Sequence, residues 1–273
     1  MNREEKIERL NKSTSYSFED LVDVVSLLRA PGGCPWDIEQ THESIRSDFI
    51  EETYEVIEAI DNKDRELLCE ELGDVMLQVV FHAGIETDAG TFNINDVIDG
   101  ICKKLIHRHP HVFGDISVND SAEVLKNWDI IKSEEKQRET VTSKLKSIPR
   151  QLPALMRAQK VGKKAKCFDF ADADAVFDKL NEEKNELLEA AESNDQEKIK
   201  EEAGDLLLTV TSLCRKLKVD AEEALNSATD KFINRFELIE NEVILSGKDI
   251  NSVGVEELDE IWEKNKEKQE KNS

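Results

Sequence analysis

Two stretches of the chain carry acids at a spacing that repeats. Glu51-Glu52-Thr53-Tyr54-Glu55 precedes Glu70-Glu71-Leu72-Gly73-Asp74, and Glu182-Glu183-Lys184-Asn185-Glu186 precedes Glu201-Glu202-Ala203-Gly204-Asp205. Three apart on a helix, Glu52 and Glu55 share one face, and so do Glu71 and Asp74. Asp61-Asn62-Lys63-Asp64 lies between them and reads as a turn. In an antiparallel helical hairpin, residues equidistant from the turn stand at the same level. Glu52 and Asp74 are centred on residue 63, and so are Glu55 and Glu71. Four carboxylates therefore converge within about one turn, roughly 5 Å of axis. Glu183 with Asp205, and Glu186 with Glu202, share a centre at Asn194, inside Ser193-Asn194-Asp195.

Such clusters repel themselves unless cations sit among them, and hard oxygen donors suit Mg²⁺ or Mn²⁺. One Glu-x-x-Glu alone is more often a solvated helix face. Two pairs in hairpin register, present twice, favour metal binding. A di-iron bundle would need Glu-x-x-His on two helices. The chain has that pattern only at Glu39 to His42, outside both hairpins. Gly73 and Gly204 sit inside the second acid pair of each copy, where a missing side chain lets a ligand or backbone approach.

The hairpins that must hold these acids belong to a longer repeat. Lys104 and Arg108 match Lys231 and Arg235, and Trp128 with Lys132 matches Trp262 with Lys266, at offsets between 127 and 134 residues. Matches in one order across both halves point to duplication. Apolar residues recur at helical spacing, as at Leu21, Val24, Val25 and Leu28, and sustained alternation is missing. The expected fold is all-α: a first domain over 16–132, a charged linker over 133–152 closed by Pro149 and Pro153, and a second domain over 153–273.

Composition narrows the role. Asp and Glu total 60 against 37 Lys and Arg, a net charge of −23, which repels nucleic-acid polymers but not a nucleotide bridged through metal. No run approaches the roughly 20 apolar residues of a membrane span. The charged first residues show no secretory signal, and five cysteines without a Cys-x-x-Cys fit a reducing cytoplasm. His107, His109 and His111 read as a surface turn after a helix. The basic run Arg150, Arg157, Lys160, Lys163, Lys164 and Lys166 fits either a nucleotide contact at a dimer interface or an ordinary amphipathic helix end.

The acid pattern across a helical hairpin resembles the MazG family of all-α nucleotide pyrophosphohydrolases. Gly33-Cys34-Pro35-Trp36-Asp37 with Gln40-Thr41, Arg108-His109-Pro110-His111-Val112-Phe113, and Leu152-Pro153-Ala154-Leu155-Met156-Arg157-Ala158-Gln159-Lys160 resemble its tandem members too. The likeness runs from Phe18 to Lys266. It implies two tandem MazG-like domains in a dimeric bundle, formed by a homodimer. It also implies Mg²⁺-dependent hydrolysis of nucleoside triphosphates to monophosphates and pyrophosphate, in clearing surplus or abnormal nucleotides.

Under that likeness Glu183, Glu186, Glu202 and Asp205 hold metal, as do Glu52, Glu55, Glu71 and Asp74 in the first copy. Glu182 or Glu201 takes the proton of the attacking water, and the sequence does not choose between them. Lys198, Lys231, Arg235, Trp262 and Lys266 face the substrate, with Lys104, Arg108, Trp128 and Lys132 as their counterparts. Lys198 stands four residues before Glu202 where the first copy has Leu67, which favours the second copy as the catalytic one. A helical scaffold that senses nucleotide or metal without turnover is the alternative, and a purely structural acidic dimer is a third.

Overall fold

The computed structural model describes residues 1–134 and 140–270. Among them are fourteen α-helices and no strand. The chain divides into two units, 1–135 and 136–273. The first unit runs α1 (Arg3–Lys12), α2 (Phe18–Arg29), α3 (Pro35–Glu39), α4 (Arg46–Asp61), α5 (Arg65–Ala89), α6 (Ile94–Arg108), α7 (Pro110–Phe113) and α8 (Ser121–Glu134). The second runs α9 (Val141–Lys146), α10 (Ala154–Lys164), α11 (Ala173–Ser193), α12 (Gln196–Lys216), α13 (Ala221–Leu245) and α14 (Val255–Glu270). The segment expected to be a charged linker contributes α9 and the buried Ile148 to the second unit.

Each unit is organised by one long hairpin, α4–α5 and α11–α12. Local chemistry fixes both turns the same way. Lys63 (φ 55°) and Asn194 (φ 54°) take the left-handed conformation that ends a helix. The next residue, Asp64 or Asp195, caps the following helix by accepting hydrogen bonds from its first amides. The turns fall at the centres that the acid spacing predicts. Ala59 and Ala190, at matching positions near the turns, are fully buried, and only a methyl lets the paired helices approach so closely. Gln78 and Val80 on α5 are buried, as are their counterparts Thr209 and Thr211 on α12.

A third helix braces each hairpin. In the first unit Val25 of α2 joins Ile45, Val80 and Phe81 in a core extended by Phe18, Leu21 and Leu77. Capping boxes at Asn2, Ser17 and Asn93 start α1, α2 and α6. The brace shows a reciprocal exchange between the copies. On α2, Arg29 lies against Gly84 of α5, its Cδ 3.4 Å from where a Cβ would sit. In the second unit the glycine is on the brace: Gly162 of α10 faces Arg215 of α12, whose Nε is 3.0 Å from the Cβ position. Both arginines are anchored. Arg29 reaches Asp88 at 2.9 Å and the carbonyl of Asp37 at 2.8 Å. Arg215 grips both oxygens of Asp169 at 2.5 and 2.9 Å.

Among the described residues no helix is long and apolar enough to cross a membrane.

Candidate active site on the helical hairpins

The hairpin register brings three acids together in each copy. One carboxylate oxygen from each of Glu52, Glu55 and Glu71 lies within 4.8 Å of the others, and the same holds for Glu183, Glu186 and Glu202. Asp74 and Asp205 stand outside these triads. Asp74 is near enough to raise the Glu52 pKa by like charge, while Asp205 is exposed.

The electrostatics are those of crowded anions. Burial first, then Asp74 and Glu55, push the Glu52 carboxyl above the usual carboxylate range. Burial and then Glu55 do the same to Glu71. Glu186 is also raised, through burial and through Glu183 and Glu202, against an opposing pull from Lys179. Each shift records an unfavourable ionised form that a nearby cation would relieve.

The copies differ in what meets that charge. In the second hairpin Lys179, four residues before Glu183, places its Nζ 2.8 Å from both Glu182 and Glu183. Those carboxylates raise its pKa well above the ordinary lysine value. The matching position of the first copy is Asp48. Glu183 is only 4% exposed, and its Oε2 is buried with no hydrogen-bond partner. A buried, unpaired carboxylate oxygen is costly, and here it belongs to an oxygen-only cluster of acids. That donor set fits a hard divalent cation.

The flanking acids Glu182 and Glu201 are exposed, and Glu182 is held by Lys179. Lys198 is exposed on the first turn of α12. The other predicted contacts gather on a different helix pair. Arg235 of α13 lies over the ring of Trp262 of α14, 5.6 Å from its centroid, and Phe232 packs on that ring at 5.4 Å. Arg108 lies over Trp128 at the same 5.6 Å in the first unit. This pairing recurs although the two segments sit at different sequence offsets. Lys104 and Lys231 are exposed, and Lys266 reaches Glu263 at 3.3 Å. The Lys132 side chain lies outside the described residues. In the second unit α13 packs chiefly along α14, so the cation–aromatic group and the acid triad occupy separate helix pairs.

Sequence reasoning missed Lys179, although its i, i+4 spacing to Glu183 was readable. It also missed a cluster in the first unit: His42 Nδ1 is 2.7 Å from His82 Nδ1, and His42 Nε2 is 2.6 Å from Glu86. Forty residues separate the two histidines, so no local pattern announces them. Their contact ties the entry of α4 to α5 and thereby steadies the hairpin. Around His107, His109 and His111 the chain turns from α6 into the one-turn α7, with His109 as the residue between them.

The model of the MazG nucleotide pyrophosphohydrolase domain matches residues 40–113 and 171–238, segments that contain the two acid hairpins. The chain is 44% identical over 257 residues to the nucleoside triphosphate pyrophosphohydrolase/pyrophosphatase MazG of Thermotoga maritima, covering 93% of this chain and 98% of that protein. It is 44% identical over 248 residues to the nucleoside triphosphate pyrophosphohydrolase of Escherichia coli K12, covering 89% and 94%. It is 42% identical over 255 residues to the uncharacterized protein YabN of Bacillus subtilis, covering 92% of this chain and 52% of that one. With both hairpins matched and nearly the whole length shared, the chain belongs to the MazG family.

Proposed function

We propose that the protein hydrolyses nucleoside triphosphates to nucleoside monophosphates and pyrophosphate, using Mg²⁺ held chiefly by the second hairpin. The observation that carries this reading is the oxygen-only triad Glu183, Glu186 and Glu202 with the orphaned Glu183 Oε2. A hydrolase of this kind is also what the names of the T. maritima and E. coli relatives describe.

Glu183, Glu186 and Glu202 hold the ion, with Asp205 one turn along α12 completing the set. Bound there, Mg²⁺ supplies charge neutralisation on the phosphates and a lowered pKa for water. The protein's own groups do the rest. Lys179 holds Glu183 through Oε1 and leaves Oε2 open to a cation, so the ammonium stands beside the triad as a donor to phosphate oxygens. Glu182 or Glu201, both solvent-facing, takes the proton of the attacking water. Lys231, Arg235 and Lys266 bind phosphate, and Trp262 offers its face to the base. Lys104, Arg108, Trp128 and Lys132 take these parts in the first copy, around Glu52, Glu55, Glu71 and Asp74.

The acids and the cation–aromatic group sit on separate helix pairs, and a homodimer brings them together in this reading. Leu188, Leu207, Leu208, Phe232, Ile233 and Phe236 are exposed and give such a dimer an apolar surface. Five free cysteines suit the cytoplasm, and the charge of −23 disfavours nucleic-acid polymers as partners.

The test is pyrophosphate release from a panel of nucleoside triphosphates with Mg²⁺. Glu183→Gln should lose more than about 100-fold in turnover, beyond the roughly 10–100-fold typical of a group one shell out from the metal. Glu52→Gln should retain most of it. Loss confined to Glu52→Gln would move the chemistry to the first hairpin. Nucleotide binding without release from any substrate would leave a sensing scaffold in place of the enzyme.

A further inference from the structure

Behind the second hairpin, on the side of the brace helix, is a groove of about 760 Å³. Its walls are the end of α10, the Lys166 turn, and the turn between α12 and α13. These three segments bring Lys160, Lys163, Lys166, Arg215 and Lys218 to one place, in a chain whose net charge is −23.

The two acids in the walls are already engaged. Asp169 is held by Arg215 at 2.5 Å and Lys216 at 3.0 Å, and those cations press its pKa far below the carboxylate range. Asp220 caps α13, accepting from the amides of Glu222 and Glu223. Among the described residues no carboxylate pairs with Lys160, Lys163, Lys166 or Lys218. Lysines in the last turn of a helix are ordinary, so Lys163 alone would carry nothing. Lys218 ends α12 in the left-handed conformation (φ 60°), as Lys63 ends α4, and so brings a further lysine to the groove from a second segment.

The duplication supplies an internal comparison. The corresponding place in the first unit, between α2, the end of α5 and the start of α6, holds about 220 Å³. Its cations are each matched by an acid: Lys6 meets Asp23 at 2.5 Å, and Arg29 meets Asp88 at 2.9 Å. One copy has neutralised this groove. The other has widened it and left four lysines uncompensated, an arrangement that an incoming anion relieves.

We propose that the α10–α12 groove is an anion site distinct from the carboxylate hairpin, taking a small phosphate-rich anion without metal. Its volume falls in the range of small-molecule pockets. The donors are the four lysines, since Arg215 is spent on Asp169 and forms part of the wall. A pyrophosphate ion and the phosphate tail of a nucleotide share the required chemistry.

Calorimetric titration of the full chain with inorganic pyrophosphate in EDTA tests this, because without divalent cations the acid triads repel phosphate. One saturable site per chain is expected, weakened at least about tenfold in Lys160→Glu/Lys163→Glu/Lys218→Glu and unchanged in Glu183→Gln. Should the triple variant not fold, Lys163→Gln and Lys218→Gln singly must each weaken binding. Competition by a nucleoside triphosphate in EDTA identifies the phosphate tail as an equal occupant, and its absence restricts the site to free pyrophosphate. The proposal is overturned if wild type shows no saturable binding, if the lysine variants bind as wild type does, or if Glu183→Gln abolishes binding. It is also overturned if a short single-stranded RNA binds more tightly than pyrophosphate, since the groove would then serve a polymer.

Discussion

Glu52→Gln should stabilise the metal-free protein, and the size of the effect follows from the triad. Oxygens of Glu55 and Glu71 lie within 4.8 Å of a Glu52 oxygen. At that distance two unit charges repel by about 0.9 kcal/mol in a water-like medium and about 3.5 kcal/mol at an effective dielectric near 20. Glu52 is half-buried, so the lower value applies better, and two neighbours give a gain of about 1–2 kcal/mol. For a unit of this size that is a rise in Tm of roughly 3–8 °C. The sign with pH also follows. The folded pKa of Glu52 is raised, so its charge costs stability above that pKa and costs nothing once the group is protonated in both states. Scanning calorimetry in EDTA should therefore show the gain at pH 7.5 and lose it near pH 4. Adding Mg²⁺ should reverse the order, because wild type alone keeps its full ligand set. Glu183→Gln should show no such gain in EDTA, since it deprives Lys179 of a partner. A Glu52→Gln protein that melts below wild type in EDTA at pH 7.5, or keeps its advantage at pH 4, would refute this account of the triad.

Lys179→Met should tighten Mg²⁺ binding severalfold by removing a cation that competes for the triad, measured by calorimetry. Asp169→Asn should destabilise the second unit at pH 7 by about 1–3 kcal/mol through loss of its hydrogen bonds to Arg215 and Lys216. Because the folded Asp169 pKa is lowered, that contribution is present above the ordinary aspartate range and fades as pH falls below it, so urea midpoints should converge in acid. Gly33→Ala places a Cβ 2.2 Å from the Leu28 carbonyl and 2.5 Å from that of Leu27, so thermal melting should report a loss of about 2 kcal/mol or more. Ala190→Leu should overpack the α11–α12 crossing at a cost of about 1–3 kcal/mol, with pyrophosphate release falling as the triad is pried apart.

The hairpins were legible because their information is local. The period of the apolar residues, an Asx-rich turn and acids equidistant from it determine level and face together, and the structure places Lys63 and Asn194 at the turn centres. The braces were less legible. The exchange of Arg29 and Gly84 for Gly162 and Arg215 sets partners more than fifty residues apart, and neither glycine sits in a recognisable turn motif. His42, His82 and Glu86 belong to the same class. Lys179 was overlooked for a different reason: it lies three residues before the acid motif, and the matching position of the first copy, Asp48, carries no cation to mark it. Lys166 was legible only as part of a basic run, and Lys218 not at all, because the groove exists only once two turns are folded against α10.

The three-residue and two-residue connections at 62–64 and 194–195 act as rulers. In most surface loops an added residue costs little, because closure entropy grows slowly with length. Here each helix resumes immediately after its capping aspartate, with no slack to absorb an insertion. One extra residue would turn the second helix by about 100° relative to the first and swing Glu71 or Glu202 off the shared face. These few turn residues therefore face stricter length control than their exposure implies, and a chain with every acid intact could lose its cluster through a change that touches none of them.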